Sequence, residues 1–132
     1  VQIRIDGSDA RPIYVQIMDE IRRALVRGAL GPEDPLPSVR EMAAQLRVNP
    51  RTVSQAYDEL VRDGVACVRR GQGTFAAPDV RPDEQERPRL AREVARRAQA
   101  DAWRSGLTVE ELMEALRDLE REPLDAGETS DA

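Results

Sequence analysis

Apolar residues recur at three- and four-residue spacing in five stretches of the chain, and the residues between them are those that start and stop helices. Ile13, Ile17, Ile21, Ala24 and Leu25 form the first stripe, which predicts a helix whose first residue is Pro12 and whose end lies near Gly28. Gly31 to Pro37 holds three prolines and cannot continue a helix, so it predicts a connecting loop. Ser38 and Glu41 have the spacing of a capping box, opening a second helix with Val39, Met42, Ala43 and Leu46 on its buried face. After Arg47 and Val48, Asn49 can cap a third helix with Pro50 in its first turn, Val53, Ala56, Tyr57, Leu60 and Val61 as its stripe, and Gly64 as its stop. Two short helices joined by so tight a turn are the plan of a helix-turn-helix.

Beyond Gly64 the period changes to two. Val65 and Cys67 share one face, Arg69-Arg70-Gly71-Gln72-Gly73 follows, and Thr74-Phe75-Ala76 returns, which predicts a β-hairpin with a basic, glycine-containing tip. A hairpin directly after a recognition helix is a wing. Residues 2–5 also alternate and predict a short strand ahead of a loop from Asp6 to Arg11. Residues 78–88, with three prolines among charges, read as a linker. Leu90, Val94, Ala98 and Ala102 then mark a helix from about Arg89 to Ser105, closed by Gly106. Thr108 and Glu111 form a second capping box for a helix carrying Val109, Leu112, Met113, Leu116 and Leu119. Neither helix can bury its stripe alone, so the pair is expected to pack on the first domain or on a second copy of itself. The expected fold is therefore α+β and mostly helical. It comprises a winged helix-turn-helix over 1–77, a linker over 78–88, a helical dimerisation hairpin over 89–122 and an acidic tail over 123–132.

The 132 residues are 40% hydrophobic, 34% charged and 3% aromatic, the balance of a soluble, helix-rich globular chain. The longest apolar run is Val65 to Val68, far short of a membrane span, and the start lacks a secretory pattern, so a cytoplasmic protein with no membrane partner is expected. Cys67 is the lone cysteine and reads as a small buried filler. No histidine is present, which removes the commonest general base and metal ligand, and no phosphate-cradling loop or ligand cluster replaces it. No catalytic residue, metal or cofactor is expected, and an enzyme is the remote reading. The net charge of −5 looks wrong for a nucleic-acid partner until it is divided. Residues 1–80 carry 11 Arg against 11 Asp plus Glu, residues 81–132 carry 9 against 14, and the segments 38–55 and 68–75 set five Arg against Glu41 alone. A local basic surface governs phosphate attraction, not the total.

A helix in the major groove reads bases from its first turns while its far face stays in the core. On the third helix the outward positions near the start are Asn49, Arg51, Thr52, Ser54 and Gln55. Arg40, near the start of the preceding helix behind Ser38, can reach a guanine edge or a phosphate beside the groove. At the wing, Gly71 and Gly73 permit close backbone approach, and Arg69, Arg70 and Gln72 can lie along phosphates or enter a narrow minor groove. Each feature alone fits an ordinary solvated surface; their order along the chain points to DNA.

These residues resemble the GntR family of bacterial regulators, and specifically its short YtrA-like branch. P-I-Y-x-Q-I at Pro12 to Ile17, L-P-S-V-R-E-M-A at Leu36 to Ala43, V-N-P-R-T-V-x-x-A-Y-x-E-L at Val48 to Leu60, D-G at Asp63 and Gly64, and G-x-G-T-F at Gly71 to Phe75 carry the resemblance. It implies a winged helix that binds a double-stranded DNA operator as a homodimer, with Arg40, the start of the third helix and the wing glycine Gly71 as contacts; Ser38 is a further candidate contact beside them. Many members have Ser-Arg where this chain has Asn49-Pro50, so the usual arginine is absent and Arg51 is placed to take over its contact. The short branch implies dimerisation through the two C-terminal helices, here with Leu90, Val94, Trp103, Leu112 and Leu116 in the interface, and leaves a small-molecule effector between subunits open. The first expectation is thus a repressor on a two-fold symmetric operator. The competing expectation is a protein-interaction module whose helical hairpin recruits a partner; motif enrichment from genomic fragments separates the two.

Overall fold

A computed structural model describes residues 3–122, and the chain divides into two compact units between Leu90 and Ala91. Its elements run α1 (Ile13–Val26), α2 (Val39–Leu46), α3 (Pro50–Arg62), β1 (Ala66–Arg69), β2 (Gly73–Ala76), α4 (Pro82–Gln85), α5 (Arg87–Arg104) and α6 (Val109–Glu120). In the first unit, α1 and α2 pack on α3, and Ile17, Ile21, Met42, Val53 and Leu60 are at most 1% exposed. Each contributes about 1.5–3 kcal/mol by leaving water, so the three stripes hold this tri-helical core together. β1 and β2 form an antiparallel pair with Ala66 opposite Ala76, Cys67 opposite Phe75, Val68 opposite Thr74 and Arg69 opposite Gly73.

Side-chain caps set the starts of α2 and α3. The Ser38 hydroxyl accepts from the Glu41 amide at 3.0 Å while the Glu41 carboxylate accepts from the Ser38 amide at 3.4 Å. Asn49 Oδ1 accepts from the Arg51 amide at 2.9 Å, and Pro50 occupies the first turn of α3, where no backbone donor is required. At its far end Gly64, with φ 77°, lets the Val65 amide reach back to the Leu60 carbonyl at 2.9 Å and satisfies a carbonyl the helix leaves over.

Four sequence expectations need correction. Pro12 sits just before α1 rather than inside it. The described part of the 2–5 segment is not a strand; Ile3 and Ile5 pack half-buried against the core instead. The proline loop does more than connect: the Glu33 amide donates to the Ala76 carbonyl, the Ala76 amide to Asp34 and the Leu36 amide to Thr74, at 2.8–3.0 Å. That loop flanks β2 on the edge opposite β1. Finally, residues 78–88 are not a linker. Val80 is 5% exposed within the core, α4 packs on α1, Glu86 is 7% exposed, and α5 begins at Arg87.

In the second unit, Gly106 (φ 74°) ends α5, with the Leu107 amide donating to the Ala102 carbonyl at 2.8 Å. The Thr108–Glu111 capping box opens α6 as expected, with both bonds formed at 3.0 and 3.1 Å. Ala102 is buried, but the larger apolar residues stay in contact with water: α6 is exposed along its length apart from half-buried Leu112. The acidic tail 123–132 lies outside the described residues.

Candidate nucleic-acid interface

The turn from α2 to α3 determines what the first turn of α3 presents. Arg47 adopts a left-handed conformation, φ 57°, which lets the Val48 amide donate to the Ala43 carbonyl at 3.1 Å and reverses the chain within two residues. Tyr57, 3% exposed, donates its hydroxyl to the Pro37 carbonyl at 2.7 Å and so fastens the start of α2 to the middle of α3. Burial pushes the Tyr57 phenol pKa up, and the nearby Glu41 charge adds to the shift, so the phenol stays a donor.

With that turn in place, Arg40, Arg47, Asn49, Arg51 and Gln55 are all exposed, whereas Thr52 and Ser54 are half-buried at the edges of the helix face. Ser38 is exposed, and its oxygen is engaged as the cap of α2. Asn49 spends its oxygen on the Arg51 amide, which leaves its side-chain NH2 to donate outward. Among the described residues the guanidiniums of Arg40, Arg47 and Arg51 have no carboxylate partner, whereas those of Arg11, Arg22, Arg62 and Arg69 are held in ion pairs. Unpaired guanidiniums beside short hydrogen-bonding groups are suited to phosphates and base edges.

The wing turns where expected. The Gln72 amide donates to the Arg69 carbonyl at 2.9 Å, and Gly71, at φ 75°, occupies the turn position where a side chain would be strained. Arg70, Gly71, Gln72 and Gly73 are exposed, and among the described residues Arg70 has no carboxylate partner. Arg69 is not free: it lies 4.3 Å above the Phe75 ring and 3.2 Å from the Glu33 carboxylate, tying the hairpin to the proline loop. Sequence reading placed Arg69 and Arg70 together; the fold separates them into a brace and a free charge.

The residues expected at a subunit interface divide similarly. Leu90 and Leu112 are half-buried within the chain, while Val94 is 49%, Leu116 50% and Trp103 81% exposed. Trp103, Leu107 and Val109 also line an open groove of about 570 Å³ at the α5–α6 corner, together with Arg96 and Gln99. Sequence reading missed two features. Arg47 was counted as local basic charge but not as a candidate contact, and no pattern in the chain signals its outward, unpaired position. The ion pairs of Arg22 with Asp63 and Glu86 join residues 41 and 64 positions apart, which periodicity cannot reveal.

Residues 13–76, from α1 through β2, match the family described as "Bacterial regulatory proteins, gntR family". The chain is 44% identical over 108 residues to the uncharacterized HTH-type transcriptional regulator YhcF of Bacillus subtilis, covering 82% of this chain and 89% of YhcF. It is 35% identical over 118 residues to the HTH-type transcriptional repressor YtrA of the same organism, covering 89% of this chain and 91% of YtrA. Among solved structures, a GntR family transcriptional regulator from Listeria monocytogenes superposes with a TM-score of 0.71 at 32% identity, over 86% of this chain and 98% of that one. The DNA-binding domain of AraR, solved in complex with operator ORX1, superposes with a TM-score of 0.52 at 28% identity, over 58% of this chain and 96% of that one. No helix among the described residues is long and apolar enough to cross a membrane. From the helix-turn-helix, its wing and these relatives together, the chain belongs to the GntR family of DNA-binding transcription regulators, in its short YtrA-like branch.

Proposed function

We propose that this chain represses transcription by occupying a two-fold symmetric operator as a homodimer, one α3 helix per half-site, and that it works in the cytoplasm as a regulator rather than an enzyme. The observation that carries the proposal is that Arg40 in α2, Arg47 in the turn and Arg51 in the first turn of α3 are exposed and have no carboxylate partner among the described residues. In this reading Arg40, Asn49, Arg51 and Gln55 face the major groove, with Thr52 and Ser54 at its margin and Ser38 beside the backbone. The wing residues Arg70, Gly71, Gln72 and Gly73 lie along the neighbouring phosphates, and Arg69 stiffens the hairpin from beneath. YtrA is a repressor by name and AraR was solved on operator DNA, which supports the same role here.

A second copy is the partner that the C-terminal helices favour. α5 carries six arginines against Glu93 and Asp101, while α6 carries five acids against Arg117, so α6 of one chain offers apolar surface and opposite charge to α5 of another. Leu90, Val94, Trp103, Leu112 and Leu116 would line that contact, with Trp103 as its aromatic anchor.

Selection from random duplexes tests the reading. The expected product is an inverted repeat, bound less tightly as salt rises, because phosphate contacts release counterions. Recovery of no motif would return the chain to the protein-interaction reading.

A further inference from the structure

Arg22 in α1 is 8% exposed, and its guanidinium meets two carboxylates from distant parts of the chain. Nη2 donates to Asp63 Oδ2 at 2.7 Å, and Nε lies 3.0 Å from Glu86 Oε1. Asp63 caps the C-terminal end of α3, the proposed recognition helix. Glu86, 7% exposed, is the last residue before α5, and its carbonyl accepts from the Leu90 amide at 2.8 Å in the first turn of that helix. The neighbouring Arg87 adds a second tie, donating to the Val26 carbonyl at the end of α1 at 3.1 Å. The root of α5 is therefore fixed to α1 at two adjacent residues, and one of those ties runs through the same guanidinium that holds the end of α3.

The Arg22–Glu86 pair is buried, while Asp63 stays 41% exposed, and a buried pair of this kind is a poor choice for stability alone, since apolar replacements of similar volume often serve as well or better. What it supplies is geometry: three segments meet at one rigid, planar guanidinium, hydrogen-bonded to Asp63 and ion-paired with Glu86. We infer that Arg22 is a positioning residue that, through Asp63 and Glu86, sets the angle between the recognition helix and the root of the dimerising helix, and so selects the spacing of operator half-sites. The inference rests on the two-copy reading above. The spacing is a sensitive readout, because one added base pair turns the second half-site by about 35° and moves it by about 3.4 Å.

The test uses the full chain and duplexes carrying the selected half-site once, or twice with spacers varied one base pair at a time. Wild type is expected to lose about tenfold in affinity when the preferred spacer changes by one or two base pairs. Glu86→Ala is expected to reduce that discrimination to below about threefold while binding the single half-site within about twofold of wild type. Glu84→Ala, which alters an exposed acid of α4 paired with Arg81, is expected to keep the wild-type profile. Should Glu86→Ala lose its helical circular dichroism, the double variant Arg22→Met/Glu86→Leu, which leaves no buried unpaired charge at position 86, is read in its place with the same expectation. A retained wild-type spacing profile in the folded variant overturns the positioning role and leaves the dimer reading standing. Wild-type binding that ignores spacing altogether overturns both.

Discussion

Tyr57→Phe removes one oxygen atom and isolates the bond that fastens α2 to α3. The hydroxyl lies 2.7 Å from the Pro37 carbonyl, and the side chain is 3% exposed, so no water can take its place on the phenol side. A net hydrogen bond contributes about 0.5–1.5 kcal/mol, and stranding a half-buried carbonyl adds to the loss, for a total of about 1–2 kcal/mol. In a domain of this size each kcal/mol shifts the melting temperature by about 4–8 °C, so Tyr57→Phe is expected to melt roughly 5–15 °C below wild type at neutral pH. The pH dependence supplies an independent check. Burial, reinforced by Glu41, raises the Tyr57 pKa in the folded state above the value of about 10 that the unfolded chain has. The stability linked to the neutral phenol is therefore complete below about pH 10 and is lost as pH rises beyond it, because the unfolded chain ionises first. The phenylalanine variant has no such group, so the melting curves of the two proteins are expected to converge as the pH rises above about 10. Tyr14 is present in both and cancels. Equal melting temperatures at pH 7, or a gap that stays constant into alkali, would refute the assignment of this bond.

Three further outcomes are expected. Arg40→Ala should weaken operator binding by about 1–3 kcal/mol and relax the preference at one base position in a competition assay, if the guanidinium reads a base edge. Arg47→Gly should act in two directions: relief of the left-handed backbone raises thermal stability by up to about 1 kcal/mol, while loss of the unpaired charge lowers the slope of log affinity against log salt by about one. Leu116→Asp places a charge on the exposed stripe of α6 and is expected to shift the sedimenting species from dimer to monomer at micromolar concentration, with the melting of the winged helix unchanged.

Local signals made most of this fold legible. The Ser38–Glu41 and Thr108–Glu111 boxes, the Asn49-Pro50 start and the Gly64 stop are each contained within four residues, and each forms as its chemistry requires. The apolar stripes of α1 and α3 announced the core for the same reason, except at Ile13 and Val61, which stay exposed. Features that depend on a remote partner were silent. The proline loop gains its edge on β2 from Thr74 and Ala76, some forty residues onward, and Arg69 is braced by Glu33 across the same distance. Residues 78–88 looked like a linker because prolines and charges dominate them, yet Val80 enters the core and Glu86 is buried against Arg22. The solvent-facing side of α3 was readable to the level of helix periodicity, which places Arg51 and Gln55 outward but does not foresee that Thr52 and Ser54 are half-covered.

The central claim is that the first turns of α3 lie against the base pairs of an operator. A DNA-cleaving metal chelate attached at Gln55→Cys, in a Cys67→Ser background that removes the only native thiol, reports that position directly. Cuts confined to the major-groove side within each selected half-site are the predicted pattern. Cleavage spread evenly along the duplex, or centred outside the half-sites while the protein remains bound, would contradict it.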